Sequence, residues 1–210
     1  MNTQETSPIP LDEPLAARIA HAVDRYGEAR VVTLATGLLQ ARNAGDDILL
    51  YLGGRHAQGV LDGAPALYWP ELWGARAFMH VWIQESDAAV SAVLAGLGNQ
   101  AWRVREMCAK VCATRAIGGP ETLTVLLSDE TARVRSAAAR ALAEVGHREH
   151  MEQLTLVLRD PDKDVRRAAQ QSLDRLRERT RGEAPKVDAP VSGFPADEVS
   201  VAEAPVAGEN

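Results

Sequence analysis

Three stretches of this chain repeat one pattern at a nearly constant interval. They read GLGNQAWRVREMCAKVCA, LLSDETARVRSAAARALA and VLRDPDKDVRRAAQQSLD. Val104, Val134 and Val165 are 30 and 31 residues apart, and an arginine follows each of them. A repeat of this length indicates supersecondary units that stack, because one unit cannot bury its apolar face alone.

Each unit predicts two helices joined by a polar turn. An apolar pair four residues apart, such as Leu123 and Leu127, precedes the turn and predicts a short first helix. Small and apolar residues at helical spacing, such as Ala138 and Leu142, follow the turn and predict a longer second helix. Only 4% of the residues are aromatic, which suits helices better than sheets. We therefore expect an all-α fold of about five helix pairs.

The turn and the second helix carry a recurrent motif. Asp129 is followed by Val134, Arg135 and an alanine pair, and Asp160 is followed by the same residues in the same order. This pattern resembles that of HEAT-repeat proteins, particularly the short repeats of the phycobilisome-lyase type. The resemblance implies an armadillo-type solenoid, a right-handed α-α superhelix. It is close over residues 73–178 and loose over 15–72.

The resemblance also implies a role for the repeated charges. In HEAT-like repeats, the acid of one turn and the arginine six residues later belong to a ladder of hydrogen bonds between repeats. The planar fork of arginine suits this task, because it can bind several acceptors at once. The implied ladder residues are Asp129 with Arg135, Asp160 with Arg166, and Arg105.

Charge and proline content divide the chain into three parts. Residues 183–210 hold six acidic residues, one basic residue and four prolines, without helical or alternating spacing. Residues 1–14 hold three acidic residues, three prolines and no base. We expect both segments to be disordered and residues 15–182 to form the repeat domain. An irregular insertion is expected at about 46–69, because Val31 and its counterpart Ala75 are 44 residues apart.

No pattern in the sequence indicates export, a membrane, a metal or a cofactor. The N-terminal segment lacks the basic and apolar parts of a signal peptide, so we expect a cytoplasmic protein without membrane contact. Cys108 and Cys112 fall in registers that later repeats fill with small or apolar residues, and we expect them in the core. His147 and His150 follow Gly146, which predicts a loop and not a metal site on a helix.

Aromatic and basic residues concentrate in one part of the repeat domain. Seven of the nine aromatic residues lie between positions 51 and 102. We interpret them either as a packing junction or as a binding platform, since Trp, Tyr and Arg dominate binding hot spots. The sequence places Trp73 and Trp102 in one register, at the start of the second helix. The candidate partner-binding residues are Trp69, Trp73, Trp102, Arg103, Lys110, Arg133 and Arg140.

These patterns predict a non-enzymatic scaffold or adaptor that binds a protein or peptide on the concave face of the solenoid. An acidic protein or peptide is a candidate partner. A DNA-glycosylase-like or other nucleic-acid-binding protein is one alternative. Some HEAT-like glycosylases use a tryptophan with an acid on a basic face, and Trp102 and Glu106 resemble this pair. The net charge of −6 favours a protein partner over nucleic acid. A tetrapyrrole lyase or isomerase is the other alternative, implied by the repeat type.

Overall fold

The computed structural model describes residues 8–67, 69–84 and 86–182. These residues form eleven α-helices and no strand, which confirms the predicted all-α class. The helices are α1 (Leu15–Tyr26), α2 (Glu28–Leu39), α3 (Asp46–Gly53), α4 (Arg55–Leu61), α5 (Trp69–Ala77), α6 (Asp87–Gly96), α7 (Trp102–Arg115), α8 (Pro120–Leu126), α9 (Ala132–Val145), α10 (Met151–Val157) and α11 (Lys163–Arg179).

The helices form five pairs that stack in two layers. The first layer holds α1, α3, α6, α8 and α10, and the second holds α2, α5, α7, α9 and α11. In the last two pairs the first helix has 7 residues and the second has 14 or 17, so the prediction of a short and a long helix is correct there. In these pairs the second-layer helices pack extensively on each other, whereas α8 and α10 pack mainly on their own partners. Contacts between neighbouring pairs in this part of the stack are therefore made mainly in the second layer.

The insertion predicted at about 46–69 contains an additional helix. α3 is the first helix of the second pair, and α4 follows it directly after Gly54, whose φ is 58°. No other pair in the described part of the chain contains a counterpart of α4. The Arg18 side chain on α1 donates a 2.9 Å hydrogen bond to the carbonyl of Tyr51, which joins α1 to the end of α3.

The N-terminal segment differs in part from the prediction of disorder. Residues 8–14 form a turn against the first two pairs, in which Ile9 packs on the core and Asp12 forms an ion pair with Arg55. Both contacts are long-range, so the composition of this short proline-rich segment did not reveal them. The other residues predicted to be disordered, 1–7 and 183–210, lie outside the described residues.

The two cysteines lie in the core at the junction of α6 and α7. Both are fully buried and neither forms a disulfide. Burial raises the pKa of both thiols, that of Cys112 to about 12, so both are neutral at physiological pH. A Cβ atom added at Gly96 would stand 2.5 Å from the Sγ of Cys108, which shows how closely α6 approaches α7.

Candidate binding surface

The same local contact builds the polar turn before each long second-layer helix in the last three pairs. The side-chain oxygens of Asn99, Asp129 and Asp160 each accept a hydrogen bond of 2.8 Å from the backbone N–H two residues later. This arrangement is an Asx turn, which Asn and Asp form equally well. The aspartates must therefore have a further role that asparagine lacks.

That further role is an arginine ladder between neighbouring turns. Arg105 binds both carboxylate oxygens of Asp129, with Nε–Oδ2 at 2.7 Å and Nη2–Oδ1 at 3.1 Å. Arg135 binds Asp160 in the same way, at 2.7 and 2.9 Å. Each arginine also donates through Nη1 to the carbonyls five and six residues before it. All four side chains of these two rungs are 14% exposed or less.

The carboxylate partners differ from the pairs that the resemblance implied. Arg135 reaches only the backbone carbonyl of Asp129, and Arg166 reaches only that of Asp160. Each aspartate carboxylate binds the arginine of the preceding repeat instead. The spacing within one repeat could not show this, because it does not determine which neighbour a side chain faces.

Electrostatics within the ladder lower the pKa of both aspartates. Burial raises the pKa of Asp129, but the hydrogen bonds from Arg105 and the turn outweigh it and leave that pKa below its usual value of 3.8. The hydrogen bond from Arg135 lowers the pKa of Asp160 in the same direction. A carboxyl with a lowered folded-state pKa stabilises the fold above its unfolded pKa. This contribution is lost as the pH falls through the folded pKa.

We therefore expect the free energy of unfolding to decrease as the pH falls below about 4. The decrease should be smaller in Asp129→Asn, which has no ionisable group at this position and whose amide oxygen can still form the turn. Denaturant unfolding at several pH values between 7 and 3 measures how the free energy of unfolding depends on pH in both proteins. Asp174→Asn, which removes an exposed carboxylate from α11, serves as the matched control. Equal slopes for wild type and Asp129→Asn would contradict the ladder assignment.

Helices α7, α9 and α11 line an open groove of about 310 Å³ on the second layer. We call it the second-layer groove, and its lining residues are Glu106, Lys110, Ala132, Arg133, Ser136, Arg140, Asp162, Asp164 and Arg167. Four of these residues are basic and three are acidic. The acidic residues at the start of α11, Asp162 and Asp164, were not predicted to face the groove, although Asp164 occupies the register of Arg103 and Arg133. The groove is therefore less positive than the sequence suggested.

Glu106 joins α7 to α9 across the second-layer groove. Its side chain is 8% exposed, and its Oε1 accepts from Lys110 Nζ at 2.8 Å and from Arg133 Nε at 3.1 Å. Arg140 is exposed, and its guanidinium makes one long contact, 3.5 Å, to the carbonyl of Ser136 on its own helix. Among the described residues, no carboxylate lies within ion-pair distance of Arg140.

Trp102 begins α7 beside this groove and is half-buried. The guanidinium carbons of Arg103 and Arg133 lie 4.4 and 5.5 Å from its ring centroid, within the range of cation–π attraction. The structure thus brings together five of the seven residues that the sequence suggested for binding: Trp102, Arg103, Lys110, Arg133 and Arg140.

The other two candidate tryptophans lie elsewhere. α5 begins at Trp69, so Trp73 lies one turn inside the helix, with 3% exposure and Gly53 against its ring. The register shared by Trp73 and Trp102 was therefore wrong, because the insertion conceals where α5 starts. Trp73 is core and offers no surface for a partner. Trp69 is half-buried, with its ring centroid 6.1 Å from that of His56.

The remaining candidate features concern histidines and membranes. The N–H of His147 donates to Nδ1 of His150 at 3.0 Å, in a 3₁₀ turn that precedes α10. In the part of the chain that the structure describes, no three His, Cys, Asp or Glu side chains are grouped so that they could hold a metal ion. No helix there combines the length and the apolar character needed to cross a bilayer.

The first layer carries a second surface that was not predicted from the sequence. Val125 on α8 and Leu156 on α10 are 73% and 65% exposed and are 31 residues apart, so they repeat along the first layer. Leu156 also lines a shallow groove between these helices, opposite Thr124. The spacing of apolar residues on a short helix predicts that they lie in the core. In α8 and α10, however, one further apolar residue, Val125 or Leu156, faces solvent.

Comparison with known proteins supports the repeat architecture. Residues 120–187, which include α8 to α11, match the HEAT repeats family. The crystal structure of an engineered protein from the Northeast Structural Genomics Consortium is similar, with a TM-score of 0.53 and 22% sequence identity over 80% of this chain and 86% of that one. At this identity the likeness concerns the fold. No curated protein matches the chain. The chain is therefore a helical repeat protein that is similar to the HEAT repeats family in its last two helix pairs.

Proposed function

We propose that this protein is a non-enzymatic scaffold whose second-layer groove binds an acidic segment of a partner protein. The observation that carries the proposal is the exposed Arg140, which has no carboxylate in contact among the described residues. It lines the same groove as Arg133, one of the two arginines on the ring of Trp102. Helical repeat stacks present extended concave surfaces of this kind to their partners. We place the protein in the cytoplasm, since two unbonded cysteines suit a reducing compartment.

The charge pairing inside the groove supports an acidic partner. Glu106 is bound by Lys110 and Arg133, and Asp164 lies 3.3 Å from Arg167. Asp162 caps α11 by accepting from two backbone N–H groups. Each acid that lines the groove thus has a partner within the fold, whereas Arg140 has no carboxylate partner among the described residues. A carboxylate from a partner would complete this pairing.

Trp102 would supply the apolar part of the interface. Two guanidinium groups lie within cation–π distance of its ring, and these contacts restrict its movement before a partner arrives. Tryptophan flanked by arginine is a frequent composition of binding hot spots, because it offers a large apolar area and charge pairing together. We expect a partner segment with an apolar side chain next to an acidic one.

Nucleic-acid binding is the second candidate, because Trp102 and Glu106 do lie beside the same groove. One observation favours the protein partner. The Glu106 carboxylate is 8% exposed and already binds two cations, so it has little capacity for a base.

Truncation of the two anchors should weaken partner binding without unfolding the protein. We expect Trp102→Ala to cost about 2 kcal/mol of binding free energy and Arg140→Ala about 1–2 kcal/mol. Arg140→Ala should melt like wild type, because the side chain is exposed and its one hydrogen bond among the described residues is a long one to its own helix. Titration of a co-purified partner, with thermal unfolding of each variant, measures both quantities. Arg177→Ala, on the same stack but not in the groove lining, is the control. Folded variants that bind at wild-type strength would exclude this groove.

A further inference from the structure

The first layer of the last two pairs presents the same row of side chains twice. In α8 the row is Glu121, Val125 and Ser128, and in α10 it is Glu152, Leu156 and Arg159. The members of each row are four and three residues apart, so they lie on one side of the helix and its last turn. All six are exposed, the valine and the leucine by 73% and 65%. Each row is therefore apolar at its centre and polar at both ends.

The row on α10 carries two opposite charges that have no ion-pair partner among the described residues. Glu152 and Arg159 are about 10 Å apart along the helix axis, too far for an ion pair with each other. Leu156 lies between them, and it lines the groove between α8 and α10 together with Arg159. The midpoint of the two charges falls beside the leucine. Reversing the direction of the row therefore exchanges the charges and leaves the leucine in place.

A second copy of this chain complements the face for that reason. A two-fold axis across the middle of both helices sets α8 against α8 and α10 against α10, in opposite directions. Leu156 then meets the same residue of the other copy, and Glu152 meets Arg159 on both sides of it. Glu121 meets the neutral Ser128. A two-fold axis along the helices would instead set α8 against α10 in the same direction and bring Glu121 against Glu152, which is unfavourable.

We propose that two copies of this chain associate through α8 and α10 in this antiparallel arrangement, with Leu156 at the centre and a Glu152–Arg159 ion pair on each side. Both helices have 7 residues and are about 10 Å long, so the shared surface is smaller than that of a stable dimer. We expect a dissociation constant of about 10–100 µM, so the chain is mainly monomeric at the dilution of a cell extract. The face belongs to the first layer and the second-layer groove does not, so the inference does not depend on the proposed function.

Analytical ultracentrifugation of the full chain, at concentrations below and above this dissociation constant, tests the proposal. Wild type should change from monomer to dimer. Glu152→Arg and Arg159→Glu each set like charges against one another at both ends of α10, and each should raise the dissociation constant at least about tenfold. An equimolar mixture of the two variants should associate like wild type, because each charge of one variant then meets the opposite charge of the other.

Arg177→Glu and Glu178→Arg are the matched controls, because they make the same changes of net charge at exposed positions of α11. Both should associate like wild type, and circular dichroism should show wild-type helicity and melting for all four variants. A wild type that stays monomeric at the highest concentration would overturn the proposal and leave the face available to a different protein. Association that survives both reversals on α10, or that their mixture does not restore, would also overturn it.

Discussion

Replacement of Gly74 by alanine should destabilise the fold by about 3 kcal/mol, because the new methyl group would enter the backbone of a neighbouring helix. A Cβ atom at Gly74 would stand 2.6 Å from the carbonyl oxygen of Ala35 and 2.7 Å from the backbone nitrogen of Leu39. Both atoms belong to α2, and α5 packs on α2 across this contact. Backbone atoms within a helix cannot turn aside as a flexible side chain can. The two helices would have to separate, and apolar contacts along the whole interface would weaken.

Gly37→Ala is the matched control for this prediction. Gly37 also lies within a helix, α2, but a Cβ atom there would meet no atom within 4 Å. Alanine loses less backbone entropy than glycine when a helix forms, so this variant should be more stable by about 0.5–1 kcal/mol. Denaturant unfolding of the two variants should therefore shift in opposite directions. Two glycine variants with the same stability would mean that α2 and α5 do not approach as closely as described.

Replacement of Arg135 by alanine should also destabilise the fold by about 3 kcal/mol. The substitution would leave the carboxylate of Asp160, 8% exposed, without its bidentate partner. The carbonyls of Asp129 and Glu130 would lose a donor as well. Most of the expected loss of stability comes from the buried charge that is left without a partner. Removing one member of a buried ion pair destabilises a fold by more than the intact pair stabilises it.

Arg166→Ala provides the comparison from the same ladder. It removes the same side chain from the equivalent position, but the side chain is exposed and binds only two carbonyls among the described residues. We expect a loss below about 1 kcal/mol. Chemical unfolding at pH 7 and again at pH 3 separates the two variants, because protonation of Asp160 removes part of the penalty in Arg135→Ala. If both variants lost the same stability at pH 7, burial of the Arg135–Asp160 pair would not be the source of the destabilisation.

The sequence predicts the architecture well where the repeats are regular. Val104, Val134 and Val165 set the register, and the long helices α7, α9 and α11 begin two residues before them. Burial of these three valines follows from the same spacing. Helix starts are less predictable where the repeat is broken. The insertion carries the extra helix α4, so counting back from Trp102 placed the start of the preceding second-layer helix at Trp73 and not at Trp69.

The candidate site was predictable in its helices but not in its charge. Lys110, Arg133 and Arg140 follow directly from the register of the second helix, and the structure places them in one groove. Asp162 and Asp164, at the start of α11, were missed because the register was followed on this helix only from Arg167 onward. The carboxylate partners of the ladder were also missed, since a contact between neighbouring units depends on their relative rotation, which repeat spacing alone does not contain.

Site-specific photocrosslinking tests the proposed function most directly, because two surfaces of the stack compete for a partner. A photoreactive amino acid at Ala132 would report on the second-layer groove, and the same amino acid at Val125 or Leu156 would report on the apolar positions of the first layer. The groove account predicts that irradiation in an extract of the native host links position 132 to an intact protein, with at least tenfold less product from positions 125 and 156. It also predicts that Arg140→Ala reduces the product from position 132. Crosslinks confined to positions 125 and 156, or a nuclease-sensitive product from position 132, would contradict it.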